Sequence, residues 1–107
     1  MKKRIAVYGT LKSGKPLHYI LSESDKKEND KISGTLYTNG SLPFLVDGKN
    51  SVEVETYNVT ETTFSYLKRM EEAAGYKTKL TKMRSGREAY VFFYPEVGNN
   101  FRKINRF

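Results

Sequence analysis

Thr60-Glu61-Thr62-Thr63-Phe64-Ser65-Tyr66-Leu67-Lys68-Arg69-Met70-Glu71-Glu72-Ala73-Ala74-Gly75 is the one stretch of this 107-residue chain with a sustained helical pattern. Thr60 is placed to cap the N-terminus, the helix runs from Glu61 to Ala74, and Gly75 stops it. At about 3.6 residues per turn, Phe64, Leu67 and Ala74 share one apolar stripe. Glu71 is seven positions after Phe64 and four after Leu67, so it falls within that stripe. Lys68 and Glu72 form an ordinary outward i,i+4 pair. A carboxylate on the core side of a helix is costly unless it is hydrogen-bonded or lines a cavity, and burial raises its pKa toward the range of a general acid or base. Periodicity alone also allows Glu71 to sit at the stripe's edge, to reach water, or to bind a buried backbone N–H.

Around this helix the chain reads as short strands. Arg4–Tyr8 is a β-type run stopped by Gly9, and Gly9–Pro16 is a loop. Pro16 suits the first position of a short helix through Leu21. Lys26–Asp30 reads as a charged, exposed turn. Strands are expected at Ile32–Tyr37, Leu42–Val46 and Ser51–Val59, with Asn39-Gly40 and Asp47-Gly48 as turns between them. In the last of these, Val52, Val54 and Thr56 share a face. Tyr76–Met83 and Glu88–Tyr94 flank an Arg84-Ser85-Gly86-Arg87 turn, and beyond Pro95 lies a basic aromatic tail. Several short strands with one helix argue a small α+β domain built on a mostly antiparallel sheet or barrel, not a repeated βαβ fold.

Size and composition narrow the function. The length is that of a single domain spanning 1–107. No run approaches the roughly 20 apolar residues of a membrane-spanning helix, and the apolar stretch after Met1-Lys2-Lys3-Arg4 is too short for a signal peptide, so a cytoplasmic location is expected. There is no cysteine and a single histidine, His18, which removes thiolate chemistry and disfavours histidine-based metal sites and triads. Chemistry must then rest on carboxylates, hydroxyls and backbone groups. The net charge is +7. Residues 77–107 hold 8 basic side chains and 2 acidic ones, and so carry 6 of the 7 excess charges. That stripe is either a solvated strand face or an attractor for anions.

The second candidate site is Val7-Tyr8-Gly9-Thr10-Leu11. A glycine just past a strand can turn successive backbone N–H groups outward into a nest for a carboxylate or phosphate. A plain strand-to-turn transition is the alternative.

Together these features resemble the γ-glutamylcyclotransferase-like proteins, which include the γ-glutamylamine cyclotransferases and the AIG2-like proteins. That family opens with a strand ending in Tyr-Gly-Ser/Thr-Leu, matched by Tyr8-Gly9-Thr10-Leu11 and followed here by Lys12-Ser13-Gly14 and a segment with His18 and Leu21. Gly34-Thr35-Leu36-Tyr37, Gly40-Ser41-Leu42-Pro43, Val52-Glu53-Val54-Glu55-Thr56-Tyr57 and Ala89-Tyr90-Val91-Phe92 are similar to its later strands and turns. Its helix motif Leu-Asp-x-x-Glu-Gly corresponds to Leu67-Lys68-Arg69-Met70-Glu71-Glu72, with Lys68 and Glu72 as departures. The family's Arg near the next strand is absent, with Lys77 and Lys79 nearby.

The resemblance implies a small barrel-like mixed, mostly antiparallel sheet with one main helix and a cavity at its mouth. It implies a small-molecule γ-glutamyl substrate whose α-amine attacks its own δ-carbonyl, releasing 5-oxoproline and an amine or amino acid. Glu71 would be the catalytic acid and base, and Tyr8, Gly9, Thr10 and Leu11 would bind the γ-glutamyl unit. Tyr76 corresponds loosely to a pocket tyrosine or simply caps the helix end. No metal and no cofactor is required.

Three rival readings stand beside this one. A non-catalytic module on the same fold would bind a small anion or metabolite. Gly9 to Gly14-Lys15 nearly spells a phosphate loop, although Pro16 replaces the Ser/Thr that would meet Mg²⁺. A nucleic-acid-binding barrel would use the basic last third with Tyr90, Phe92, Phe93, Tyr94 and Phe101 as stacking groups, but strand aromatics more often belong to a core. Oligomeric state stays open, with Phe101 and Phe107 available to pack on a neighbour.

Overall fold

The computed structural model describes residues 2–22 and 24–107; Met1, the first residue of the basic opening stretch, lies outside them, as does Glu23. The elements are β1 (Lys2–Val7), a 3-10 turn (His18–Leu21), β2 (Asp25–Thr38), β3 (Pro43–Thr60), α1 (Glu61–Ala73), β4 (Lys77–Lys82), β5 (Glu88–Phe93) and β6 (Arg102–Ile104). All six strands form one sheet in the order β4-β5-β1-β3-β2-β6. Among the described residues only the β1–β5 pairing is parallel, with Ile5 opposite Tyr90. The sheet is a curled, mixed half-barrel with one helix, as expected. Two backbone bonds pull the curl together: Tyr94 N–H donates to Leu45 O at 2.7 Å and Arg84 N–H to Lys31 O at 2.9 Å.

β1 explains the two-sided core. Its alternating side chains go to opposite faces. Ile5 and Val7 join Tyr57, Val59, Phe64 and Leu67 beneath α1. Ala6 and Tyr8 join Ile32, Leu45, Val54 and Val91 inside the curl. Val52, Val54 and Thr56 share a buried face, as their alternation requires.

α1 begins and ends where its caps dictate. Thr60 Oγ1 accepts from Thr63 N–H at 3.2 Å. At the other end Gly75 adopts φ of +100°. That left-handed residue lets Gly75 N–H reach Glu72 O at 3.1 Å and Tyr76 N–H reach Glu71 O at 3.0 Å, a Schellman closure. The helix is fastened to the sheet by Phe64 and Leu67. Leu67 is fully buried, so Leu67→Ala should cost about 2–5 kcal/mol, read as a drop in the urea midpoint at constant slope.

Four expectations change. Lys26–Asp30 is not a turn but the start of β2, paired to Val54–Tyr57 with a bulge between Lys26 and Asn29. β6 reaches only Leu36–Thr38, and this half of β2 is met instead by the turn between β4 and β5: Asp30 accepts from Ser85 N–H and Oγ, and Glu28 pairs with Arg87. Asp47-Gly48 does not end a strand. It lies within β3, at a register shift opposite Ser33–Thr35, where a Cβ on Gly48 would stand 2.2 Å from Thr35 Oγ1. The helix expected from Pro16 is instead a series of turns and the four-residue 3-10 segment. The tail carries a sixth strand, and Phe101 packs edge-on against Phe44 at 4.9 Å within the chain's own core.

Candidate functional site

The last turn of α1 faces the loop that follows β1. Leu67, Met70, Glu71 and Ala74 follow the i, i+3, i+4, i+7 spacing of a single helix face. Leu67 is sealed against the sheet, while the other three line a cavity of about 180 Å³. The opposite wall is Ala6 to Leu11, and Leu17, Leu42, Pro43, Tyr76 and Phe92 complete it. All six residues singled out in the sequence, Tyr8, Gly9, Thr10, Leu11, Glu71 and Tyr76, therefore border one space.

The loop is held by its carbonyls. Gly9 O accepts from Lys12 N–H and Thr10 O from Leu17 N–H, both at 2.9 Å. Leu11 O accepts from His18 Nδ1 at 2.9 Å, which fixes the tautomer with its proton on Nδ1. Ser13 N–H is tied to Glu55 Oε1 at 2.8 Å, anchoring the loop to β3. No described residue accepts from the N–H groups of Gly9, Thr10 or Leu11. Carbonyls consumed and amides left over make a donor set for an anion.

Glu71 is half-buried, and no described cation or donor engages its carboxyl. Burial alone raises its pKa from 4.5 to about 7. The group is thus near half-protonated at neutral pH, able to take or give a proton. The periodicity reading of an inward acid holds, and the alternative in which it binds a buried N–H does not.

The two tyrosines are walls with their donors spent. Tyr8 Oη donates to Phe92 O at 2.6 Å and Tyr76 Oη to Pro43 O at 2.7 Å. Burial, with the neighbouring Glu71 as a further cause, pushes both phenols upward, so both stay protonated. Tyr76 is set beside Glu71 by the Schellman closure and stacked at 5.7 Å on Phe44. Pro43 is brought in by the preceding turn, where Asn39 Oδ1 accepts from both Ser41 and Leu42 N–H at 2.9 Å.

Lys68 and Glu72 stand outside the cavity. They pair at 3.3 Å, and Thr78 Oγ1 donates to Glu72 Oε2 at 2.8 Å. The phosphate-loop reading fails on local structure: Gly14-Lys15-Pro16 leads to a 3-10 turn and an antiparallel strand, not to a helix and a parallel one. Of the aromatic side chains named for a stacking platform, Phe92 and Phe93 are buried and Tyr94 packs against Phe44 at 4.8 Å. Among the described residues no three His, Asp or Glu side chains form a group that could hold a metal ion. Among the described residues no helix is long and apolar enough to cross a membrane.

The sequence profile described as "Gamma-glutamyl cyclotransferase, AIG2-like" matches residues 5–106. The chain belongs to this family. The Pyrococcus horikoshii protein PH0828, whose name provisionally places it among the gamma-glutamylcyclotransferases, is 42% identical over 74 residues, 69% of this chain and 64% of that protein. The matched stretch thus spans just under two thirds of that relative's length. Its crystal structure superposes with a TM-score of 0.83, at 33% identity over 96% of this chain and 86% of the other. A Vibrio cholerae protein with a similarly provisional name is 32% identical over 100 residues, 91% of this chain and 86% of its own. A mouse AIG2-like protein shares the fold alone, with a TM-score of 0.82 at 19% identity over 99% of this chain and 88% of that one.

Within this AIG2-like chain, sequence reasoning missed Leu17, Leu42, Pro43, Met70, Ala74 and Phe92 as cavity residues. Met70 and Ala74 were within reach, because they share Glu71's helix face. The others come from three distant segments that only tertiary pairing unites.

Proposed function

We propose that this chain cyclises a small γ-glutamyl compound, releasing 5-oxoproline and a free amine or amino acid, with Glu71 as general acid and base. One observation carries the reading. A half-buried, unpaired carboxyl with a pKa near 7 faces, across one cavity, a loop whose amides have no acceptor.

The substrate's α-carboxylate would sit on the N–H groups of Gly9 to Leu11. Ionised Glu71 takes a proton from the α-ammonium, and the freed amine attacks the δ-carbonyl to form the five-membered lactam. As the C–N bond to the leaving group breaks, protonated Glu71 gives its proton to the departing nitrogen and, ionised again, takes the second proton that the ring nitrogen sheds. That proton leaves with the released amine, which departs as an ammonium, so the α-nitrogen passes from three hydrogens to one and water is not consumed. Ring closure is intramolecular, so holding the γ-glutamyl unit curled supplies much of the rate. One residue serves both proton transfers, worth roughly 10²–10⁴-fold.

Lys68 and Glu72, the departures from the family's helix motif, do not line the cavity, which favours the enzyme over a non-catalytic module. The test is a screen of γ-glutamyl compounds for 5-oxoproline. Because Glu71 must be ionised to accept the first proton, kcat/KM should fall about tenfold per pH unit below about pH 7. Tight binding of γ-glutamyl compounds with no product from any of them would assign the chain to binding instead.

A further inference from the structure

We propose that the leaving group of this chain's substrate is an uncharged alkyl or aryl amine rather than an amino acid or a polyamine. The inference rests on the cyclisation reading and names its substrate class.

At about 180 Å³ the cavity is smaller than the roughly 300–1,000 Å³ of pockets that enclose drug-sized ligands. It has room for the γ-glutamyl unit, and the rest of the conjugate must stand at the rim. The lining residues that retain solvent exposure mark that rim: Thr10, Leu17, Leu42, Met70, Glu71 and Ala74. Leu42 is 42% exposed, a large apolar side chain held in water at the mouth. Apart from the reacting carboxyl, the Thr10 hydroxyl and the loop amides already assigned to the α-carboxylate, the exit is hydrocarbon. Among the described residues it contains no Lys, Arg or His to receive a second carboxylate and no second acid to receive an ammonium.

The loop's own cations do not fill that gap. Lys15 Nζ lies over the Phe107 ring at 5.2 Å, and neither Lys12 nor Lys15 lines the cavity. An amino-acid leaving group would set its α-carboxylate two bonds from the scissile nitrogen, beside Glu71 and without a counter-charge. A diamine would draw a terminal ammonium across Leu42 and Met70. Each arrangement leaves a charge desolvated and unpaired. A plain alkyl chain instead covers apolar rim that is otherwise wet.

Four conjugates isolate the two charges: γ-glutamyl-isopentylamide against γ-glutamyl-leucine, which differ by one carboxylate, and γ-glutamyl-pentylamide against the 1,5-diaminopentane conjugate, which differ by one ammonium. Both kcat/KM for 5-oxoproline release and calorimetric affinity in Glu71→Gln are read. The uncharged member of each pair should lead by roughly tenfold or more in both measurements, and Leu42→Arg should narrow the gap to γ-glutamyl-leucine. Parity, or a lead for either charged conjugate, overturns the inference even if turnover is robust. If no conjugate yields 5-oxoproline but the affinity order holds, the cyclisation reading falls and the rim's preference stands.

Discussion

Glu71→Gln lowers kcat/KM for 5-oxoproline release by about 10²–10⁴-fold while the chain still folds and melts cooperatively. The substitution keeps the shape of the side chain and removes its proton chemistry. Because no described residue pairs with the Glu71 carboxyl, the exchange breaks no hydrogen bond or ion pair. Turnover near the wild-type rate would remove this residue from the reaction.

Stability provides an independent reading with the opposite sign. The folded-state pKa of Glu71 lies above its ordinary value, about 7 against 4.5, because burial penalises the ionised form. Between these values the folded chain holds a proton that the unfolded chain has released, so stability declines as pH climbs through that window. Above pH 7 the whole penalty applies, at most about 3 kcal/mol. Glu71→Gln should therefore stabilise the chain by about 1–3 kcal/mol near pH 8 and change little near pH 5. A general acid held in a poor solvent costs stability that its removal returns. A variant that is both inactive and less stable at pH 8 would instead mark Glu71 as a structural support.

Local signals carried the parts of the fold that are locally determined. The helix was legible because its caps, Thr60 and Gly75, act within a few residues. The inward aim of Glu71 was legible because it follows from helical spacing alone. The first half of β2 was not. Lys26–Asp30 is charged enough to pass for a turn, and only its pairing with the Val54–Tyr57 stretch makes it a strand. Asp47-Gly48 carried a turn signal that the register shift absorbs inside β3. β6 is three residues whose pairing partner lies more than sixty positions earlier. The site divides in the same way. The nest and the acid each sit on one element and were found, whereas the Leu42-Pro43 wall depends on how a hairpin folds across the opening.

That wall makes Gly9 a position where a single added methyl group should distort the site. Gly9 is not among the residues with positive φ, so alanine can adopt its backbone conformation. The cost is steric: a Cβ would lie 2.2 Å from Pro43 Cγ and 3.3 Å from Pro43 Cβ. A proline ring cannot rotate aside as a flexible side chain does. Its backbone is also fixed, since Pro43 O accepts the Tyr76 hydroxyl and Pro43 pairs with Thr38 across the hairpin. On the other side, Gly9 O is held by Lys12 N–H. Either the loop or the proline must move by about an ångström, at about 1–3 kcal/mol. A displacement of that size between the nest and Glu71 should cost roughly 10²-fold in kcat/KM. Pro43→Ala removes the Cγ that clashes and keeps the Cβ at a tolerable 3.3 Å. The double variant Gly9→Ala/Pro43→Ala should thus recover most of the stability lost by Gly9→Ala, a coupling that additive behaviour would contradict.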